Sequence, residues 1–203
     1  MNTKINTKRK RVKFASDNVT GACPEVLEAV IKANDGIVPP YGNDEISGVL
    51  QEKFSKIFEK DVIVYPTASG TASNALALSA ISPSFGNIYC HKFSHINVDE
   101  CGAPEFYTGG AKLVPLNGED GKITTEELKN SIGGFGIVHH TQPSIVSITQ
   151  ATETGEVYTL EQIKNISEIT HKHNLKMHMD GARFANALVS LDVSPAELSL
   201  IHI

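Results

Sequence analysis

Asp180 closes the apolar run Leu175-Lys176-Met177-His178-Met179 and is followed at once by Gly181-Ala182-Arg183. An acid at the C-terminal end of a strand stands where open α/β sheets hold their ligands. A carboxylate there needs a cationic or hydrogen-bonding partner, or it is neutralised. Arg183 is one candidate partner, in which case the pair pins a loop. His178, two residues back on the same strand face, is another. A second cluster is Thr67-Ala68-Ser69-Gly70-Thr71, between the apolar run Asp61–Tyr65 and a helical pattern over about 71–80. Free backbone N–H groups and the positive end of a helix dipole meet at such a point, which suits an anion. Gly70 allows close approach, and the Ser69 and Thr71 hydroxyls add donors for a phosphate. A capped helix after an ordinary turn is the plainer reading of the same three residues.

His95 follows another apolar stretch ending near Cys90, so it too falls near the C-terminal edge of a strand, where an imidazole can stack on a flat ligand or move a proton. A histidine satisfied by its surroundings is the plainer alternative. His139-His140 and the pair His171 and His173 lack a carboxylate at helix-face metal spacing, so no metal site is expected.

The elements that must carry these residues alternate along the chain. Helices are expected from Pro24 to about Asn34, from about Asp44 to Glu59, and after Thr159, where Gln162 completes a capping box ahead of the stripe Leu160, Ile163, Ile166 and Ile169. Strands are expected at 61–65, 87–90, 112–116, 144–149 and 175–179. Strand, helix, strand in that order predicts a largely parallel sheet in an α/β fold. Ser194-Pro195-Ala196-Glu197 is a strong helix start, but only six residues follow, and Leu198 to Ile203 would expose a nearly apolar end without something to cover it, as if the chain stopped inside an element.

Composition bounds the rest. The chain has 203 residues, 40% hydrophobic, 20% charged and 6% aromatic, the profile of one ordinary globular core with no internal boundary. Cys23, Cys90 and Cys101 form no C-x-x-C pair and their number is odd, which argues against a disulfide framework and for a reducing compartment. No window is long and apolar enough for a membrane span, and the N-terminus lacks the apolar centre of a signal peptide, so a cytoplasmic location is expected. The first 13 residues carry six bases and no acid, leaving 12 basic against 23 acidic residues in the remainder, a net of −11. A body that acidic repels phosphate chains, so neither nucleic acid nor membrane is an expected partner.

Taken together, six ordered motifs resemble the low-specificity threonine aldolases of the β-eliminating lyase group. They are Phe14–Asn18, Tyr41–Asp44, Ser69–Asn74, the run from Ser94-His95 through Asp99–Phe106, Thr149–Glu153 and His178–Asn186. The resemblance runs from about residue 12 to 197. It implies a three-layer sandwich around a mostly parallel sheet, the large domain of fold-type I pyridoxal-phosphate enzymes, incomplete at the C-terminus, with residues 1–11 a flexible basic tail. It implies pyridoxal 5'-phosphate as cofactor, Ser69, Gly70 and Thr71 around its phosphate, His95 on its ring as the catalytic histidine, and Asp180 at the ring nitrogen. Arg183 and Ser16 would clamp the carboxylate of an amino-acid substrate, and Tyr41 would complete a neighbouring subunit's site in a homodimer or homotetramer. The implied reaction is cleavage of threonine or allo-threonine to glycine and acetaldehyde. Another β-eliminating amino-acid lyase, or a truncated module without activity, is the alternative.

Two departures stand out. Some members carry a second histidine where this chain has Thr152. The lysine that joins the cofactor follows the Asp-Gly-Ala-Arg motif in the family, whereas no lysine follows Lys176 here, and Lys112 and Lys122 come earlier, on a strand and in a turn. An N-terminal piece of a longer enzyme, inactive alone, is the expectation that covers both this and the interrupted helix.

Overall fold

The structure, a computed structural model, describes residues 19–199. The basic tail, Ser16 with the rest of its motif, and the terminal residues 200–203 lie outside the described residues. Two compact units meet between Glu45 and Ile46. In the first, Pro24 opens α1 (Pro24–Ala33), where a missing N–H costs nothing, and the N–H of Asn34 closes it onto the Val30 carbonyl. The apolar face of Val26, Leu27, Val30 and Ile31 is exposed. Tyr41 follows in a turn braced by Asn43 on the Pro40 carbonyl, at a φ of 64° and almost fully exposed.

The second unit contains α2 (Glu45–Ile57), which begins at the division, then α3 (Gly70–Ile81), β1 (Gly86–His91), α4 (His95–Val98), α5 (Ala103–Tyr107) and β2 (Lys112–Leu116). After these come α6 (Thr125–Ser131), β3 (Gln142–Thr149), α7 (Leu160–Lys172), β4 (Lys176–Asp180), α8 (Phe184–Leu191) and α9 (Pro195–Ser199). The four strands pair in the order β2-β1-β3-β4, all parallel. Parallel neighbours require crossover connections, and α4 with α5, then α6, then α7 supply them.

Alternation along the strands divides the core into two layers. Ile88, Cys90, Leu113 and Ile145 pack on one face with Leu78 of α3 and Ile96 of α4. Tyr89, Leu116, Val146 and Ile148 pack on the other with Ile163, Ile166 and Ile169 of α7, Leu128 of α6, Ala187 of α8 and Leu198 of α9. A sheet covered on both faces is the three-layer sandwich expected, and its central strands are near-continuous apolar runs for that reason. The capping box of α7 is present, with Gln162 N–H on Thr159 Oγ1 (3.2 Å) and Thr159 N–H on Gln162 Oε1 (2.9 Å).

One strand expectation fails. Residues 61–65 form no strand: Ile63 and Tyr65 are about three-quarters exposed, and the N–H groups of Val62 and Val64 bond to Ser55 Oγ and Gln51 Oε1 of α2. An apolar run becomes a strand only beside another strand, and neither β2 nor β4 takes this one as neighbour. The start of the apolar end is covered: α9 opens with the expected cap, Glu197 N–H on Ser194 Oγ, and turns Ala196 and Leu198 into the core beside α8.

Candidate active site

In a parallel sheet all C-terminal strand ends face one edge, so Asp180 of β4 lies level with Thr149 of β3. The face of β3 and β4 toward α3 grades from apolar to polar along the chain: Ile145, then Ser147 beside His178, then Thr149 beside Asp180. His178 is buried and its Nδ1 bonds Ser147 Oγ at 2.9 Å, so its hydrogen bond runs to Ser147 and not to Asp180. Burial pushes the His178 imidazole from its ordinary value near 6.5 down to about 4, with the negative charge of Asp180 opposing.

That shift has a measurable sign. Below pH 6.5 the unfolded chain takes up a proton on His178 that the folded chain refuses, so stability falls as pH drops from 6.5 towards 4. At about 1.4 kcal/mol per unit, His178 withdraws about 2 kcal/mol between about pH 7.5 and 5. In urea unfolding the gap between wild type and His178→Asn is expected to narrow by that amount over the interval. A constant gap would show that His178 is not held neutral.

Asp180 is held from two sides: Oδ1 accepts the Ala182 N–H (3.0 Å), and Oδ2 accepts Asn74 Nδ2 (3.0 Å). Arg183 does not pair with it. Its guanidinium Nη1 donates to the Ala151 carbonyl (3.0 Å), which turns the arginine toward the loop after β3. The pinning pair considered from sequence is therefore absent among the described residues.

At the start of α3, Ser69 is the N-cap, its Oγ accepting the Ala72 N–H at 3.2 Å. Ser73 bonds back to the Ser69 carbonyl and to Thr67 Oγ1. With the Ser69 hydroxyl so engaged, the N–H groups of Gly70 and Thr71 are left without a partner among the described residues. A Cβ added at Gly70 would meet nothing within 4 Å, so open space lies over this helix start. Asn74 follows Gly70 by about one helical turn, which makes α3 the element that presents both the anion-suited start and the amide on Asp180.

His95 opens α4 in the loop after β1, with its backbone N–H on Glu153 Oε1 (3.0 Å) and its ring Nδ1 on Glu100 Oε1 (2.8 Å). Its side chain is 40% exposed, whereas that of Glu100 is fully buried. The hydrogen bond to Glu100 holds the His95 imidazole above its ordinary value, against the opposing effect of burial, and the charges of Glu100, Asp180 and Asp99 add to the rise. Thr152 is fully buried and donates to the Asp120 carbonyl (3.0 Å), so its hydroxyl supports a loop instead of facing solvent.

Asp180 and the His95–Glu100 pair are thus joined through Asn74, with Ser69, Gly70 and Thr71 on the same helix as the amide. Ser16 lies outside the described residues, and Tyr41 belongs to the other unit. Asn74, Glu100 and Glu153 carry no role in the sequence reading although all three stand inside its motifs. One signal for Asn74 is a polar side chain at helical spacing among the apolar residues Ala75 and Leu78. No lysine stands beside Asp180 in the chain. Lys176 begins β4 and Asp180 ends it, about 13 Å apart at strand rise, while Lys122 pairs with Glu156.

The chain is similar to known proteins in sequence and in fold. Over 186 residues the chain is 42% identical to the low specificity L-threonine aldolase of a Pseudomonas species, covering 92% of this chain and 54% of that protein. It is 28% identical to a probable low-specificity L-threonine aldolase of Arabidopsis thaliana, over 91% of this chain and 52% of the relative. Among solved structures, the Leishmania major threonine aldolase superposes with a TM-score of 0.84 at 26% identity, covering 91% of this chain and 54% of that one. The chain therefore spans about half the length of the relatives it matches. The family model of the β-eliminating lyases matches residues 13–201, and the chain belongs to that family.

Proposed function

We propose that this chain carries the cofactor-binding part of a pyridoxal-phosphate-dependent aldehyde-lyase that cleaves threonine and allo-threonine to glycine and acetaldehyde. One observation carries the reading: a carboxylate at a strand end, fixed by Asn74 and the Ala182 N–H, is linked through Glu100 to a half-exposed imidazole. The residues present fit the cofactor. The N–H groups of Gly70 and Thr71, unpartnered among the described residues and with open space above them, suit its phosphate, and Ser69 holds the turn that presents them. His95 offers a flat face to the ring, and Asp180 offers a negative charge to the ring nitrogen.

When bound, the cofactor supplies an electron sink for the substrate α-carbon. Asp180 favours the protonated ring nitrogen on which that sink depends. Arg183, whose planar fork suits a carboxylate, would hold the substrate's carboxylate together with Ser16, selecting which bond stands perpendicular to the ring. His95 takes the β-hydroxyl proton; Thr152 is buried and cannot share that task. The lysine that joins the cofactor belongs, on this reading, to residues outside these 203, and Tyr41 serves the site of a second subunit in a homodimer or homotetramer. The sequence similarity to threonine aldolases supports an amino-acid substrate, and the free cysteines Cys23, Cys90 and Cys101 suit a cytoplasmic enzyme.

Incubating the cofactor-loaded enzyme with threonine and with β-chloroalanine tests the proposal. Acetaldehyde with glycine is the expected result. Pyruvate and ammonia from β-chloroalanine, with threonine untouched, would replace the aldolase by an eliminating lyase. The 203-residue chain alone is expected to release pyridoxal phosphate on dialysis, and a borohydride-fixed adduct on one specific lysine would refute the absence of a joining residue.

A further inference from the structure

Glu100 has no exposed side-chain surface, yet it is one of the most heavily engaged acids of the site. Its Oε1 accepts from Asn74 Nδ2 at 2.7 Å and from His95 Nδ1 at 2.8 Å, while Oε2 has no hydrogen-bond partner among the described residues. The same Asn74 nitrogen gives its other hydrogen to Asp180. One amide group, itself 5% exposed, therefore ties together the acid behind the histidine and the acid at the strand end.

A carboxylate withdrawn from water is costly unless it is paired, and one with an orphan oxygen is costlier still. The network thus carries an expense that an apolar filling of the same space would avoid. Its geometry has a definite chemical consequence. With Glu100 accepting from Nδ1–H, a neutral His95 must leave the Nε2 lone pair free, and Nε2 has no partner among the described residues.

Resting on the aldehyde-lyase reading above, we propose that Glu100 and Asn74 are positioning residues of the reaction: Glu100 fixes the Nδ1–H form of His95 so that Nε2 accepts the substrate's β-hydroxyl proton, and Asn74 locks this pair to Asp180. In that step the O–H bond breaks with its proton going to Nε2, the oxygen's electrons form the aldehyde C=O, and the Cα–Cβ pair remains on Cα. Returning a proton to Cα yields glycine, with no change in oxidation state overall. Among the described residues, the charged groups facing His95 are acidic: Glu100 at the ring, Glu153 at the backbone N–H, and Asp180 and Asp99 nearby. All of them favour proton acceptance by the ring, and the raised titration of His95 agrees.

Long-range 1H–15N NMR of the histidine side chains, titrated on the 203-residue chain with His95→Gln for assignment, tests the arrangement without relying on turnover. His95 is expected as the Nδ1–H form above its titration and to titrate above an ordinary histidine; Glu100→Gln is expected to lower that titration by about one unit or more. A role confined to folding would lower the melting temperature of Glu100→Gln and leave the His95 titration in place. Wild-type His95 protonated on Nε2 alone overturns the proposal whether or not the variant folds, and so does an unmoved titration. Noncovalent binding of pyridoxal phosphate, followed by absorbance in parallel, separates the two ideas. Binding with the wrong His95 form sinks this inference alone, whereas the expected form without binding sinks the cofactor reading and the catalytic use of the pair with it.

Discussion

Replacing Asp180 with asparagine is expected to lower threonine cleavage by the cofactor-loaded enzyme roughly ten- to a thousandfold. A carboxylate within contact range shifts the titration of a cationic partner by about one to three units, and each unit is worth about 1.4 kcal/mol. Asparagine removes that charge while keeping the shape. Its side-chain oxygen can still accept the Ala182 N–H that Asp180 Oδ1 accepts at 3.0 Å, so the loop after β4 is retained, while its NH2 replaces the oxygen that accepts from Asn74 Nδ2 and breaks that hydrogen bond. The loss should therefore appear mainly in kcat, with a stability cost of about 1–3 kcal/mol from the lost Asn74 hydrogen bond, which the unfolding midpoint reports. Turnover within about twofold of wild type would mean that Asp180 does not face the ring nitrogen, and the aldehyde-lyase mechanism above would have to be rebuilt around another acid.

The second large effect concerns the floor beneath this acid. Ile145 is fully buried on β3, paired in register with Lys176 and packed in the cluster that includes Leu78 of α3 and Ile88 of β1. Truncation to alanine removes contacts from both the sheet and the helix that carries Asn74. Ile145→Ala is expected to cost about 3–4 kcal/mol, since the strands on either side of β3 limit collapse into the vacated space. Against a typical domain stability of about 5–15 kcal/mol, that brings the chain close to its unfolding threshold. Urea unfolding measures it directly. A loss under about 1 kcal/mol would show that Ile145 is not sealed between the sheet and α3.

Legibility in the sequence followed the strength of the local signal. The four sheet strands are marked by apolar runs of the right length, and their ends in the structure lie within two residues of those expected. Thr159 and Gln162 announced the start of α7 because a capping box is a contract between residues three apart. By contrast α4 and α5 have four and five residues, too few to display a helical period, and neither was anticipated. The run at 61–65 has the composition of a strand and lacks a neighbouring one. Composition describes a single segment, whereas pairing is a property of two.

The site divides along the same line. Asp-Gly-Ala is local: the Asp180 carboxylate accepts an N–H two residues on, so its placement at a strand end could be read directly. So could the Ser69 cap, three residues from the N–H it accepts. What the sequence by itself determined is therefore the set of local contracts: the strand ends, the caps, and the residue types of Ser69, Gly70, Thr71, His95 and Asp180. Only the tertiary structure decided that Asn74 spans Glu100 and Asp180, which lie 26 and 106 residues away from it, that Arg183 turns to Ala151, and that His178 serves Ser147. Hydrogen bonds across such separations form only after α3 has packed on the sheet and the parallel register has set Thr149 level with Asp180. Burial then removes water as the competing partner, and only at that point do these polar side chains have a single best arrangement.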